Sequence, residues 1–567
     1  MAWYDEAIFY HIYPLGMTGA PQHNSYGLPE HRLSTLIPWI SHMKKIGCNA
    51  LYIGPLFESV GHGYETTDYK KLDSRLGTND DLTDFVKECH KQGIRVILDG
   101  VFNHTGRDFF AFQDIKQYRE NSQYKDWYCN VNFWGNNEYN DGFSYDNWGG
   151  YNLLVKLNQK NPAVRDYICD VIRFWVKEFD IDGIRLDAAD VLDFDYMQAL
   201  RETAREVKPD FWLMGEVIHG DYTRWVNEGT LHSVTNYHLH KALYSGHNDH
   251  NYFEIAHTVK RLYEMGGSRP DGLKLYNFVD NHDVERIYTK LNNKAHYVPT
   301  HILLYTLPGI PSLYYGSEFG IEGRKEYGSD ASLRPALSYK DYKDAADTNV
   351  CTKLISALGN IRQNAPALSY GDYKELLLTT RQYAFSRNYH GQSVIVTVNN
   401  DDHDFTMNLP GGNTGEYIGA LSGQKINAVD GRLNITVKGN SGDIWLPSNA
   451  DTRRLIPEKM PVMGEPTAIA EPAPVIEEPT VIAEPAPVIE EPTVVAEPAP
   501  VVEEPISVPE PVAAPSNKSY EDMTIEELQE AILERMRRNG PVTDQMTKDV
   551  RENVYHNSLI NWIKSFH

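Results

Sequence analysis

Asp187, Glu216 and Asp283 each stand at the C-terminal end of a short apolar run, in GIRLDAAD (183–190), FWLMGEVIH (211–219) and KLYNFVDNHD (274–283). A fourth run, RVILDGVFNH (95–104), ends in Asp99, Asn103 and His104. Charges gathered at the ends of apolar strands are costly to desolvate unless they serve a site. In a parallel barrel these strand ends converge on one mouth, where two carboxylates can flank a glycosidic bond. One attacks the sugar and the other protonates the poor leaving group. Arg185 lies two residues before Asp187, hence on the same strand face, and is expected to hold Asp187 ionised with a lowered pKa. Glu216 follows the apolar FWLM, so burial is expected to raise it toward an acid role. Asp283 would oppose the positive charge that develops on the sugar.

The elements needed to position these residues are legible as eight apolar runs beginning near residues 8, 50, 95, 183, 211, 233, 274 and 310, alternating with amphipathic helix patterns. One such pattern opens on Asn161 and Pro162, a cap and first-turn pair. The expected fold is α/β: a (β/α)8 TIM barrel over residues 1–368, with a subdomain rich in Asn, Tyr, Trp and Gly inserted after strand three at about 104–157. Within the insertion Trp134 and Trp148 are candidates either for stacking on a glucan or for packing the subdomain. An antiparallel β-sandwich domain is expected at 369–449. EPAPVIEEPTVIA at 471 recurs at 484 and, degraded, at 497, which marks 450–518 as a disordered Pro/Glu-rich linker with a 13-residue repeat. Residues 519–567 regain helical pattern, with a capping box from Thr524 to Glu527, Gly540 as a stop and a second helix from about 543 to 566. This tail is expected to self-associate or to dock an unknown partner.

Composition narrows the function. Of a net charge of −24, the segment 455–516 carries about half, with twelve Glu and one Lys. No basic stripe suggests nucleic acid or an anionic membrane, and a neutral substrate is expected. The 36 Tyr and 10 Trp supply more flat aromatic surface than a core requires, which suits sugars. Five scattered cysteines are expected to be free buried thiols. The start, MAWYDEAIFYHIYP, has no basic or apolar leader, and the expected location is cytoplasmic.

The four strand-end segments, in this order, resemble the conserved regions of the α-amylase family of glycoside hydrolases over roughly residues 1–449. The resemblance implies that Asp187 is the nucleophile, Glu216 the general acid/base and Asp283 the transition-state stabiliser. It further implies substrate contacts from Arg185, His104, His282 and Tyr64 of HGYETTDY, with Asp99 and Asn103 in the same group. LVKLN (154–158) is similar to the fifth conserved region of the neopullulanase and cyclomaltodextrinase branch, although the N-terminal β domain of that branch has no counterpart ahead of the first barrel strand. The implied activity is retaining hydrolysis of α-1,4-glucosidic bonds in starch-derived glucans and maltooligosaccharides. Transglycosylase, α-glucosidase and α-1,6 activities on the same fold are the alternatives, and a non-catalytic binding barrel is disfavoured by the presence of all three carboxylates. No cofactor is expected: calcium-binding members carry Lys then His after the alanine pair, where this chain has Asp190 then Val191, although Asn103 is retained.

Overall fold

The computed structural model describes residues 2–448 apart from 268–271, 327–328 and 412–414, together with 523–539, 550–551 and 563. Eight parallel strands form the central sheet: β1 (Phe9–Ile12), β2 (Ala50–Ile53), β3 (Arg95–Gly100), β4 (Gly183–Leu186), β5 (Trp212–Gly215), β6 (Ser233–Val234), β7 (Tyr276–Asn277) and β8 (Ile310–Tyr314). They pair in the order β6-β5-β4-β3-β2-β1-β8-β7, and a parallel bridge from Thr235 to Tyr276 closes the ring. The barrel expected from the alternating runs is therefore present. Strands β6 and β7 are shorter than their apolar runs. After β6 the side chain of Asn236 accepts from the Leu239 amide and starts a helix at Tyr237, converting the second half of SVTNYHL from strand to helix.

The two-residue period of each strand divides it between two environments. Outward residues such as Tyr10, Leu51, Leu98, Ile184 and Leu213 pack with the surrounding helices in the main core. Inward residues Phe9, Ala50, Tyr52, Ile97, Trp212, Met214, Tyr276 and Ile310 form a separate plug inside the ring. The next inward position along β3 is Asp99, and along β5 it is Glu216, so an apolar floor gives way to charge at the C-terminal rim. Helix Pro162–Phe179 starts where Asn161 accepts from the Ala163 amide and Pro162 occupies the first turn, as its sequence suggests.

Between β3 and that helix, the strands His104–Thr105, Asn147–Trp148 and Tyr151–Lys156 form a small antiparallel sheet beside helix Phe110–Tyr118. After the barrel, eight strands from Lys374 to Pro447 form a six-stranded and a two-stranded antiparallel sheet. Ile395, Met407, Tyr417, Ile435 and Trp445 fill the space between them. Buried Arg387 ties this domain to the barrel by donating to the Thr306 carbonyl at 2.7 Å. All five cysteines are free, with Cys129 half-buried and the rest buried.

The repeat linker lies outside the described residues. In the second compact unit, Ile476–His567, helix Ile525–Asn539 carries the expected capping box, with Glu527 accepting from the Thr524 amide at 2.8 Å and Thr524 Oγ1 from that of Glu527 at 3.2 Å. Its Leu528, Ile532 and Leu533 pack on Val550 and Ile563. Most of the second helix expected at 543–566 falls outside the described residues.

Candidate active site

Strand register brings the first charges together. Asp99 on β3 pairs directly with Arg185 on β4, and Leu186 pairs with Gly215, so Asp187 and Glu216 leave adjacent strands at the same level. Gly54, at the end of β2, lies so close to Asp99 that a Cβ there would come within 2.3 Å of the Asp99 Cβ; only glycine fits. One guanidinium then gathers three carboxylates. Arg185 Nη1 donates to Asp99 Oδ1 at 2.9 Å and to Asp187 Oδ1 at 2.7 Å, while Nη2 lies 3.0 Å from Glu216 Oε2. Beyond Asp187 the backbone of Ala188 takes a left-handed φ of 47°, and its N–H donates to Glu216 Oε2 at 3.0 Å. A non-glycine residue in that conformation is costly and persists where its surroundings hold it.

Electrostatics correct one expectation. Burial raises the Asp187 pKa well above the usual carboxylate range; Arg185 pulls it down, and repulsion from Glu216 and Asp99 pushes it further up. The anticipated lowering by Arg185 is present but is outweighed, chiefly by burial. Asp99 and Glu216 are also raised, chiefly by burial. Arg185 keeps its charge: burial works against it, but Asp99 and Glu216 prevail.

A second group continues from Asp99. Tyr52 and Tyr64 donate to its Oδ2 at 2.8 and 3.2 Å. The Tyr64 hydroxyl also contacts His282 Nε2, and the two rings stack at 5.8 Å. His282 Nε2 lies 3.1 Å from Asp283 Oδ2, while burial and the nearby Arg334 and Arg185 keep this imidazole neutral. His104 Nε2 approaches the Tyr64 carbonyl at 3.2 Å, and burial pushes its pKa down to about 3. Trp148, exposed at the rim, sets its ring 6.1 Å from that of His104. Asn103 Nδ2 lies 3.2 Å from His104 Nδ1, so all nine residues anticipated from sequence are linked in one network.

Asn103 joins at the edge of the network, through His104, and its oxygen faces the other way. Fully buried, it accepts from Gln159 Nε2 at 3.0 Å, and Gln159 Oε1 accepts from the Asp193 amide at 2.6 Å. The Asn103 oxygen is thus already engaged by Gln159, and Val191 carries no donor side chain. Among the described residues no group of three or more His, Cys, Asp or Glu side chains is arranged to hold a metal.

Other members of the network were not anticipated. Arg334 pairs with Asp283 Oδ1 at 3.1 Å and donates to the His282 carbonyl at 3.0 Å, its guanidinium 4.6 Å from the Tyr13 ring. Tyr13 in turn stacks on His282 at 5.8 Å. The Tyr237 hydroxyl reaches Glu216 Oε1 at 3.5 Å. Tyr13 and Tyr237 follow strands β1 and β6, so the strand-end criterion could have found them. Arg334 occupies an irregular stretch after β8 and carries no such mark.

Residues 32–365 match the alpha-amylase catalytic domain. The chain belongs to the alpha-amylase family. Within that family it is 33% identical over 377 residues to a cyclomaltodextrinase of Thermoanaerobacter pseudethanolicus, covering 65% of this chain and 63% of that protein. It is 30% identical over 441 residues to a Bacillus cyclomaltodextrinase, covering 74% of this chain and 77% of the relative. A solved cyclomaltodextrinase structure superposes with a TM-score of 0.69 at 26% identity, covering 78% of each chain. The resemblance and the fold read from sequence are both borne out.

Proposed function

We propose that this alpha-amylase family member is a retaining hydrolase of α-1,4-glucosidic bonds in maltooligosaccharides and related short or cyclic starch-derived glucans. The observation that carries this reading is the sharing of one guanidinium by Asp187 and Glu216. That arrangement suits the close carboxylate spacing, ~5–5.5 Å, of a double-displacement route rather than the wider gap that must admit a water between acid and base.

Asp187 attacks the anomeric carbon as Glu216 delivers its proton to the glycosidic oxygen, and the carbon–oxygen bond breaks to leave a glycosyl ester on Asp187. Glu216, now a base, takes a proton from water; the water oxygen attacks the anomeric carbon and releases Asp187. Asp283, held by Arg334, accepts from sugar hydroxyls and opposes the oxocarbenium charge. Tyr64 and His282 present stacked rings to the sugar at the cleavage point. No step needs a metal.

The substrate class draws on the names of the relatives, cyclomaltodextrinase and, for a Thermoactinomyces vulgaris relative 29% identical over 472 residues, neopullulanase. A cytoplasmic location belongs to the same reading, supported by an intracellular maltogenic amylase of Bacillus subtilis, 28% identical over 330 residues, and by five free thiols. No helix among the described residues is long and apolar enough to cross a membrane.

Glu216→Gln should lower turnover of maltotriose by about 10²–10⁴-fold, and Asp187→Asn at least as much. Early products followed by NMR should carry the α configuration at the new reducing end. Release of the β anomer, or robust turnover by either purified variant, sinks the mechanism. Chromatography of products from β-cyclodextrin, pullulan and soluble starch tests the substrate range.

A further inference from the structure

Of the aromatic side chains among the described residues, Trp134 is the one that the fold leaves almost wholly in solvent, at 98% exposed. A fluctuating loop does not explain this, because its turn is clamped. Its own amide donates to Asn132 Oδ1 at 3.0 Å, and the Gly135 amide to the Asn132 carbonyl at 3.1 Å. Asn132 and Ser144 exchange backbone hydrogen bonds of 2.8 and 2.9 Å. A Cβ on Gly135 would come within 2.4 Å of the Ser144 hydroxyl. Phe133, the residue before, turns inward onto Phe143 at 5.7 Å, with the Arg119 guanidinium 5.5 Å from its ring. In NFWGNN one aromatic therefore anchors the turn, and the next stands out from it on a rigid base.

Beside the indole is a hollow of about 680 Å³, within the range of ligand sites. Its polar wall includes Asn130, Asn132, Ser144, Asp146 and Glu120. A second hollow of about 290 Å³ shares Asn130, Val131 and Phe133 with the first and extends it into a groove. Neither includes any residue of the Arg185 network. A flat apolar face next to amides, a hydroxyl and carboxylates suits a pyranose, whose ring offers C–H bonds on one face and hydroxyls around its edge. The carboxylates disfavour an anionic ligand. Val131, Phe133, Trp134 and Tyr145 supply the apolar part of the lining, and none of its residues is basic.

The geometry points to a second glucan-binding site on the inserted subdomain, in which Trp134 stacks on a glucose unit of an α-glucan chain while Asn130, Asn132 and Asp146 take its hydroxyls. It rests on the glucan reading above. It would hold a long substrate near the barrel mouth and matter little for a trisaccharide.

The test is native affinity electrophoresis of the full chain in gels cast with soluble starch, in the Glu216→Gln background to stop digestion, with maltotriose turnover measured on chains that keep Glu216. Trp134→Ala should weaken retardation by starch roughly ten-fold, leave kcat/KM on maltotriose within about two-fold, and raise KM on starch. Trp134→Phe, which keeps an aromatic face, should recover most of the retardation. Unchanged retardation of Trp134→Ala overturns the site, as does equal retardation by dextran and xylan. So does a Trp134-dependent dimer in sedimentation without any retardation by starch. These results are independent of catalysis: a native chain that is retarded through Trp134 yet leaves maltotriose intact would end the hydrolase reading and keep the site.

Discussion

Three carboxylates around one guanidinium make the protonation of Asp187 and Glu216 depend on Asp99, a side chain wholly buried beneath Arg185. Its negative charge raises both neighbours. Asp99→Asn removes that repulsion, so Asp187 ionises at lower pH and Glu216 loses its proton at lower pH. Both limbs of the kcat/KM profile on maltotriose should then move toward acid, and a profile that stays in place or moves to alkali contradicts the shared-charge picture. Arg334 acts through Asp283 and the His282 carbonyl. Arg334→Ala should cut kcat by roughly 10–10²-fold with a smaller change in KM, because the interaction it aims is strongest in the transition state. Steady-state kinetics in which KM alone rises would assign Arg334 to substrate binding instead. Asp187 and Glu216 were legible from sequence because a charge after an apolar strand is conspicuous. Arg334 was not, because its distance from Asp283 is set by folding of a loop without periodic pattern.

At the scale of elements, the seam between barrel and insertion is closed by side-chain amides. Gln159 connects Asn103, just beyond β3, to the amide of Asp193 at the start of helix Phe194–Val207. Removing it leaves the buried Asn103 oxygen without that partner, at about 1–3 kcal/mol, and frees the half-buried Asp193 amide. Gln159→Ala should therefore lower the melting temperature measured by calorimetry, while chelator leaves wild-type activity and melting unchanged. A large loss on chelation would mean that a metal is bound by ligands other than these. LVKLN, just before Gln159, stood out in the sequence only as resembling a conserved region, and the partner of Gln159 is set by how the insertion folds back on β3.

At the scale of the whole molecule, every residue of the site and its supports, from Tyr13 to Arg334, comes from the barrel and its insertion. A chain ending at residue 449 should keep maltotriose turnover within about two-fold of the full chain. One ending at 370 should not fold, because it strips the strands that cover the last barrel helices and removes Arg387, whose guanidinium is buried on Thr306. Soluble expression and circular dichroism of the two truncations distinguish these outcomes. An inactive 449 chain would show that residues beyond the β domain support catalysis.

The barrel, its insertion, the β domain and the rank of strand-end charges follow from the sequence alone, because strand parity and helix caps are local: alternation decides which side chains face inward, and Asn161 with Pro162 starts a helix whatever lies around it. Tertiary structure alone decided that Asp99 lies opposite Arg185, that three acids share one cation with their pKa values raised, that Gln159 occupies the Asn103 oxygen, and that Trp134 faces solvent beside a polar hollow. Those outcomes depend on register and burial between residues distant along the chain, and the cost of removing a charge from water is set by everything that surrounds it.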